Sequence, residues 1–109
     1  MPKNTLLSLI AIAGIAWTQP ALAQVDAESI FKDNDCHKCH HATKTKKGPS
    51  LEKIAARFKA EKLGTEEAIK HMTSGGKIKL SDGTEEDHKI IDAKDPKVLN
   101  AVAKWMLDR

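Results

Sequence analysis

The run Cys36-His37-Lys38-Cys39-His40 places two thiols two residues apart and an imidazole directly after the second thiol. Two thiols at that separation can reach the two vinyl groups on one edge of a porphyrin as thioethers. The histidine that follows then swings its imidazole beneath the iron, so the C-x-x-C-H spacing is that of covalent haem attachment. Two other chemistries use the same residue types. A redox dithiol of the thioredoxin kind needs β-α-β patterning, and a structural zinc site needs a second closely spaced Cys or His pair; the chain has neither. One haem c is therefore expected, held through Cys36 and Cys39, with His40 as the first axial ligand to iron.

The rest of the sequence offers no competing chemistry. No Ser-His-Asp arrangement, carboxylate pair or phosphate-binding glycine loop accompanies the motif, so an independent enzyme is not expected. A formal charge of +3 is too small to argue for nucleic acid, and no basic stripe interleaved with aromatics offers a stacking surface. With 109 residues and only two Phe and two Trp, the chain has material for one thin core. Domains of this size usually need a disulfide, a metal or a cofactor to fold stably, and a buried porphyrin would supply the missing apolar bulk.

The elements that must position the motif follow from periodicity and caps. Val25, Ile30 and Phe31 among charged residues predict a first helix leading into Cys36. Lys44 to Gly48 reads as a polar, basic loop, and Ser50 as the cap of a second helix with Leu51, Ile54, Ala55 and Phe58 on one face, stopped by Gly64. Thr65 is expected to cap a third helix, with Glu66 and Glu67 suited to the positive end of its dipole, Ile69 and Met72 facing inward, and Gly75-Gly76 ending it. Lys77 to Asp92 lacks either periodicity and reads as a long loop. Asp95-Pro96 starts a closing helix that presents Val98, Leu99, Val102, Trp105 and Met106. The expected fold class is all-α, about four short helices around one haem.

Residues 1–23 read as a secretory signal peptide, leaving 24–109 as the folded domain. Lys3 gives the positive start, Leu6 to Trp17 the apolar run, and Ala21-Leu22-Ala23 the small residues of a cleavage site. A retained anchor is the alternative, but the run is shorter than the ~20 residues a span needs and Pro20 interrupts its end. The mature product is expected to be soluble, periplasmic and without a membrane span.

From Ala27 to Leu107 the chain resembles a small bacterial class I cytochrome c. Ile30-Phe31 before the C-x-x-C-H run, Lys47-Gly48-Pro49-Ser50-Leu51 after it, and the closing Val102-Ala103-Lys104-Trp105-Met106-Leu107 carry the resemblance. It implies that the first and last helices cross, pairing Ile30 and Phe31 with Val102 and Trp105. It also implies that the Pro49 carbonyl accepts a hydrogen bond from the second nitrogen of His40, which orients the ring and makes it a better donor to iron. Members of the family normally supply a methionine from the loop ahead of the final helix as the second axial ligand. Here that loop has none, and His88 stands near the expected place.

His88 is thus the expected distal ligand, although Glu85, Glu86 and Asp87 beside it would favour its protonated form, which cannot bind iron. Met72 is the alternative, unless it serves as core. His71 is expected to point elsewhere, Met106 to pack against the first helix, and His37 and His41 to face solvent. Lys38, Lys44, Lys46 and Lys47 form a basic cluster that could steer an acidic redox partner to the haem edge, opposed by Glu85 to Asp87 as the other end of a dipole. The implied function is a one-electron carrier, free or as the subunit of a periplasmic oxidoreductase. A protein that binds nitric oxide, carbon monoxide or oxygen is the alternative if the distal ligand is labile or missing.

Overall fold

The computed structural model describes residues 13, 14 and 25–109; the segment read as a signal peptide lies outside them except for Ala13 and Gly14. Among the described residues four helices form, in the order α1 (Ala27–Asp33), α2 (Leu51–Ala60), α3 (Thr65–Ser74) and α4 (Pro96–Leu107). A 3₁₀ turn, Cys36–Lys38, carries the first half of the thiol motif. Two three-residue strands, β1 (Lys77–Lys79) and β2 (Glu85–Asp87), pair antiparallel between α3 and α4. The fold is mostly helical, and the expected long loop contains this hairpin.

Helix α4 is the hub, packing against α1, α2 and α3. Its Val102 and Ala103 are fully buried. At the crossing with α1 the rings of Phe31 and Trp105 stand 5.2 Å apart, tilted by 56°, a favourable aromatic geometry. The guanidinium of Arg109 lies 4.9 Å from the centre of the Trp105 ring and covers its outer side. Asp95 caps α4 through a 2.9 Å bond from the Lys97 N–H, with Pro96 in the first turn where no donor is missed.

Two boundaries differ from the sequence reading. Gly64 does not stop α2. The helix ends in a Schellman motif, with Leu63 N–H donating to the Phe58 carbonyl at 2.8 Å and Lys62 N–H to that of Lys59 at 3.2 Å. Lys62 takes the left-handed conformation, φ 56°, that glycine usually supplies there. Gly64 is instead the N-cap of α3, one residue before the expected Thr65. Having no side chain to cap with, it donates its own N–H to the Glu67 carboxylate at 2.8 Å.

The hairpin escaped periodicity because its strands are only three residues long and Ile78, half-buried opposite Glu86, is their one apolar residue. Lys77 opposes Asp87 and Lys79 opposes Glu85, so opposite charges pair across the strands where an apolar alternation would have been legible. Lys77 and Asp87 meet at 3.1 Å. The turn is built by Asp82, whose carboxylate accepts from the Thr84 N–H and hydroxyl, and by Gly83 at φ 87°. Leu80 and Ile91 bury their side chains beneath this segment. Among the described residues no helix is long and apolar enough to cross a membrane.

Candidate functional site

The loop after the motif is fixed by the helix it precedes. The first three N–H groups of α2 have no partner inside the helix. Leu51 N–H donates to the His41 carbonyl at 2.9 Å, Glu52 N–H to that of Ala42 at 3.1 Å, and Lys53 N–H to the buried Ser50 hydroxyl at 3.1 Å. Gly48 N–H returns to the Cys39 carbonyl at 3.0 Å. The loop is therefore closed on itself, and it brings Gly48 and Pro49 against His40.

That contact decides the state of His40. Its Nδ1 lies 2.7 Å from the Pro49 carbonyl oxygen. A carbonyl only accepts, so the proton sits on Nδ1 and Nε2 keeps a free lone pair. The next residue is set the opposite way. Nδ1 of His41 accepts from both the Thr43 and Lys44 N–H groups at 3.1 Å, which puts its proton on Nε2 and removes that nitrogen as a metal ligand. The expectation that His37 and His41 face solvent fails, since both are half-buried and Nδ1 of His37 is enclosed. Gly48 is required for its size: a Cβ there would lie 2.9 Å from Cε1 of His40 and 3.2 Å from its Nδ1.

Above His40 opens a cavity of about 730 Å³, walled by Phe31, Ile54, Phe58, Leu63, Met72 and Ile91 among others, with both thiols at its edge. Cys36 and Cys39 are unpaired and half-buried. Burial is the largest influence on Cys36 and pushes its thiol up, Asp35 adding to it, the reverse of the lowered pKa that marks a redox dithiol. No group of three or more His, Cys, Asp or Glu among the described residues is disposed to hold a bare metal ion.

The far wall carries His88, whose ring centre stands 6.3 Å from that of His40. Two imidazoles bound on opposite sides of one metal, at bond lengths of about 2.0 Å, have ring centres roughly 6.4 Å apart. An apolar cavity in the ~300–1,000 Å³ range of cofactor sites, two thiols on its rim and two imidazoles at that separation fit a covalent haem.

The profile of the cytochrome c family matches residues 24–108. The chain belongs to the cytochrome c family. It is 32% identical to the cytochrome c-551 of Stutzerimonas stutzeri over 96 residues, which is 82% of this chain and 91% of that protein. The crystal structure of the class 1 cytochrome MtoD from Sideroxydans lithotrophicus ES-1 superposes with a TM-score of 0.69 at 38% identity, covering 75% of this chain and 90% of that one. This cytochrome is accordingly a class I, monohaem electron-transfer protein rather than an enzyme, with redox proteins as its partners. Its covalent haem c supplies the chemistry, a ferric–ferrous one-electron couple.

Several sequence expectations about the distal side of this cytochrome need correction. The carboxylates of Glu85, Glu86 and Asp87 do not dominate His88. Asp87 pairs with Lys77 and Glu86 with Lys47 at 3.5 Å. Burial, then the neighbouring His71 and His40, pull His88 below its ordinary value toward the neutral form. His71 does not point elsewhere: its ring lies 4.3 Å from that of His88 and it lines the cavity. It follows Ala68 by three residues on the stripe that also holds Met72, a spacing that could have revealed it. Met106, by contrast, is buried in the core with Phe31 of α1 as expected, and it also borders the cavity. The segment carrying His88 is anchored without any ligand, by His88 N–H to the Gly76 carbonyl at 2.7 Å and Ile91 N–H to that of Met72 at 2.9 Å.

The basic cluster is exposed but partly neutralised. Lys38 pairs with Asp35 at 3.2 Å and Lys47 with Glu86, so the acidic hairpin touches the cluster instead of opposing it.

Proposed function

We propose that this cytochrome is a periplasmic one-electron carrier whose iron is held by His40 and His88, with its porphyrin attached through Cys36 and Cys39. The observation that carries the reading is the 6.3 Å separation of the two imidazoles across a single apolar cavity. The Pro49 carbonyl holds the proton of His40 on Nδ1, so that Nε2 is the donor and its basicity is raised. Residues 1–23 act as the export leader, since the thioethers are typically formed after a chain leaves the cytoplasm. Exposed Lys44 and Lys46 form the part of the basic loop that remains available to an acidic partner.

Two imidazoles stabilise ferric iron relative to ferrous more than an imidazole and a thioether do, so the reduction potential is expected below that of methionine-ligated relatives. The test uses the unmodified protein. Ferric spectra should be low-spin, of bis-imidazole type, without a sulfur-to-iron charge-transfer band; such a band would assign the distal position to Met72. Haem should stay with the polypeptide on extraction with acidified organic solvent, and colour moving to the solvent would refute attachment at Cys36 and Cys39.

A second reading, binding of a small gas, is favoured by one observation. Nδ1 of His88 is buried and has no partner as close as the Pro49 carbonyl is to His40, so this imidazole is the less firmly supported of the two. The distal bond is then the weaker of the two, and carbon monoxide should displace His88 and not His40 in the reduced protein. No reaction with carbon monoxide would leave the carrier reading alone.

A further inference from the structure

The distal side of the cavity holds two imidazoles where one ligand is needed. We propose that His71 is a reserve distal ligand, which takes the sixth position when His88 leaves it. The inference rests on the bis-histidine reading above.

His71 and His88 line the same cavity, and their rings stand 4.3 Å apart at a tilt of 56°. A displacement of about one ring width therefore brings the second imidazole to the place of the first. The two are carried differently. His88 lies in irregular chain after β2, and its segment is tied by one backbone hydrogen bond from Ile91 to Met72 in α3 and by another from His88 to Gly76, just beyond the end of that helix. His71 sits inside α3, whose own hydrogen bonds do not depend on that segment. Opening of the segment thus removes His88 and leaves His71 at the cavity wall.

His71 is also free to turn. It is exposed on one side, whereas Met72 beside it, although it walls the same cavity, is 4% exposed and packed into the hydrophobic core, where withdrawing its side chain would cost packing. The exchange is balanced. The bond from iron to the His88 nitrogen breaks and its electron pair returns to that imidazole, while the lone pair of neutral His71 forms the new bond. Iron keeps its oxidation state and no proton is transferred.

The test compares ferric absorption and electron paramagnetic resonance spectra of three holoprotein variants. His88→Ala should remain low-spin with a bis-imidazole signature. His88→Ala combined with His71→Leu should be high-spin, and added imidazole should return it to low-spin. His71→Leu alone, which keeps bulk and removes the donor, should stay low-spin. A high-spin His88→Ala protein overturns the reserve role and leaves His88 as the resident ligand. A high-spin His71→Leu protein makes His71 the resident ligand and overturns both readings. Should His88→Ala fail to take up haem, cyanide binding to the ferric protein decides. Binding should be severalfold faster in His71→Leu than in the unmodified protein, because nothing recaptures the open position, and equal rates overturn the proposal.

Discussion

Replacing Gly48 with alanine should disturb the proximal side without touching any atom that binds haem. The new Cβ would stand 2.9 Å from Cε1 of His40, 3.2 Å from its Nδ1 and 3.4 Å from the Cys39 carbonyl. Gly48 is not among the residues at positive φ, so the backbone is accessible to alanine and the whole cost is steric. The ring has little freedom to retreat, because its Nδ1 is bonded to the Pro49 carbonyl at 2.7 Å. The loop must give instead, and it is closed by the Gly48 to Cys39 hydrogen bond at 3.0 Å and by the N-terminus of α2. Overpacking by one methyl in such a place costs about 1–3 kcal/mol. At roughly 4–8 °C per kcal/mol for a domain of this size, the holoprotein should melt roughly 5–20 °C lower. If the strain is relieved by lengthening the bond to Pro49, His40 becomes a poorer donor and the reduction potential should rise as well. Thermal unfolding followed by circular dichroism, with redox titration of the same samples, measures both. A melting temperature within about 2 °C of the parent would show that the loop yields freely, and the close approach would then carry no constraint.

Three further outcomes follow from the same geometry. Lys62→Gly should raise thermal stability by up to about 1 kcal/mol, since glycine takes the left-handed position at the end of α2 without a Cβ penalty; a lower melting point would mean that the Lys62 side chain contributes more than its backbone strain removes. Hydrogen bonds from the Ser29 N–H and then its hydroxyl hold the Asp26 carboxyl below its ordinary value. The cap therefore stabilises α1 above the unfolded pKa of about 3.9 and is lost as pH falls through the lower folded value; Asp26→Asn should flatten this acid limb in a stability profile against pH, and an unchanged limb would refute the assignment. Reversing charge at Lys44 and Lys46 should slow electron exchange with an acidic redox protein and reduce its dependence on ionic strength, leaving the haem spectrum unaltered; equal rates at every salt concentration would make these lysines ordinary solvated surface.

Much of this cytochrome was legible in one dimension because its determinants are local. The spacing of Cys36, Cys39 and His40 is set by the porphyrin edge, the helical stripes by the turn of the helix, and the starts of α2 and α4 by Ser50 and Asp95 accepting from N–H groups within three residues. What only the tertiary structure decided depends on groups distant in sequence. The opposite tautomers of His40 and His41 follow from which backbone atoms the folded loop presents to each ring, and nothing in two adjacent histidines foretells that. The hairpin of Lys77–Lys79 and Glu85–Asp87 stayed hidden because its three-residue strands pair mainly by charge and hold one apolar residue, Ile78, too few to show a period. The environment of His88 was misjudged for a related reason. Asp87 turns to Lys77 across the hairpin and Glu86 to Lys47 in the loop before α2, while His71 and His40, distant in sequence, stand beside and opposite His88, and burial outweighs the charges that adjacency alone suggested.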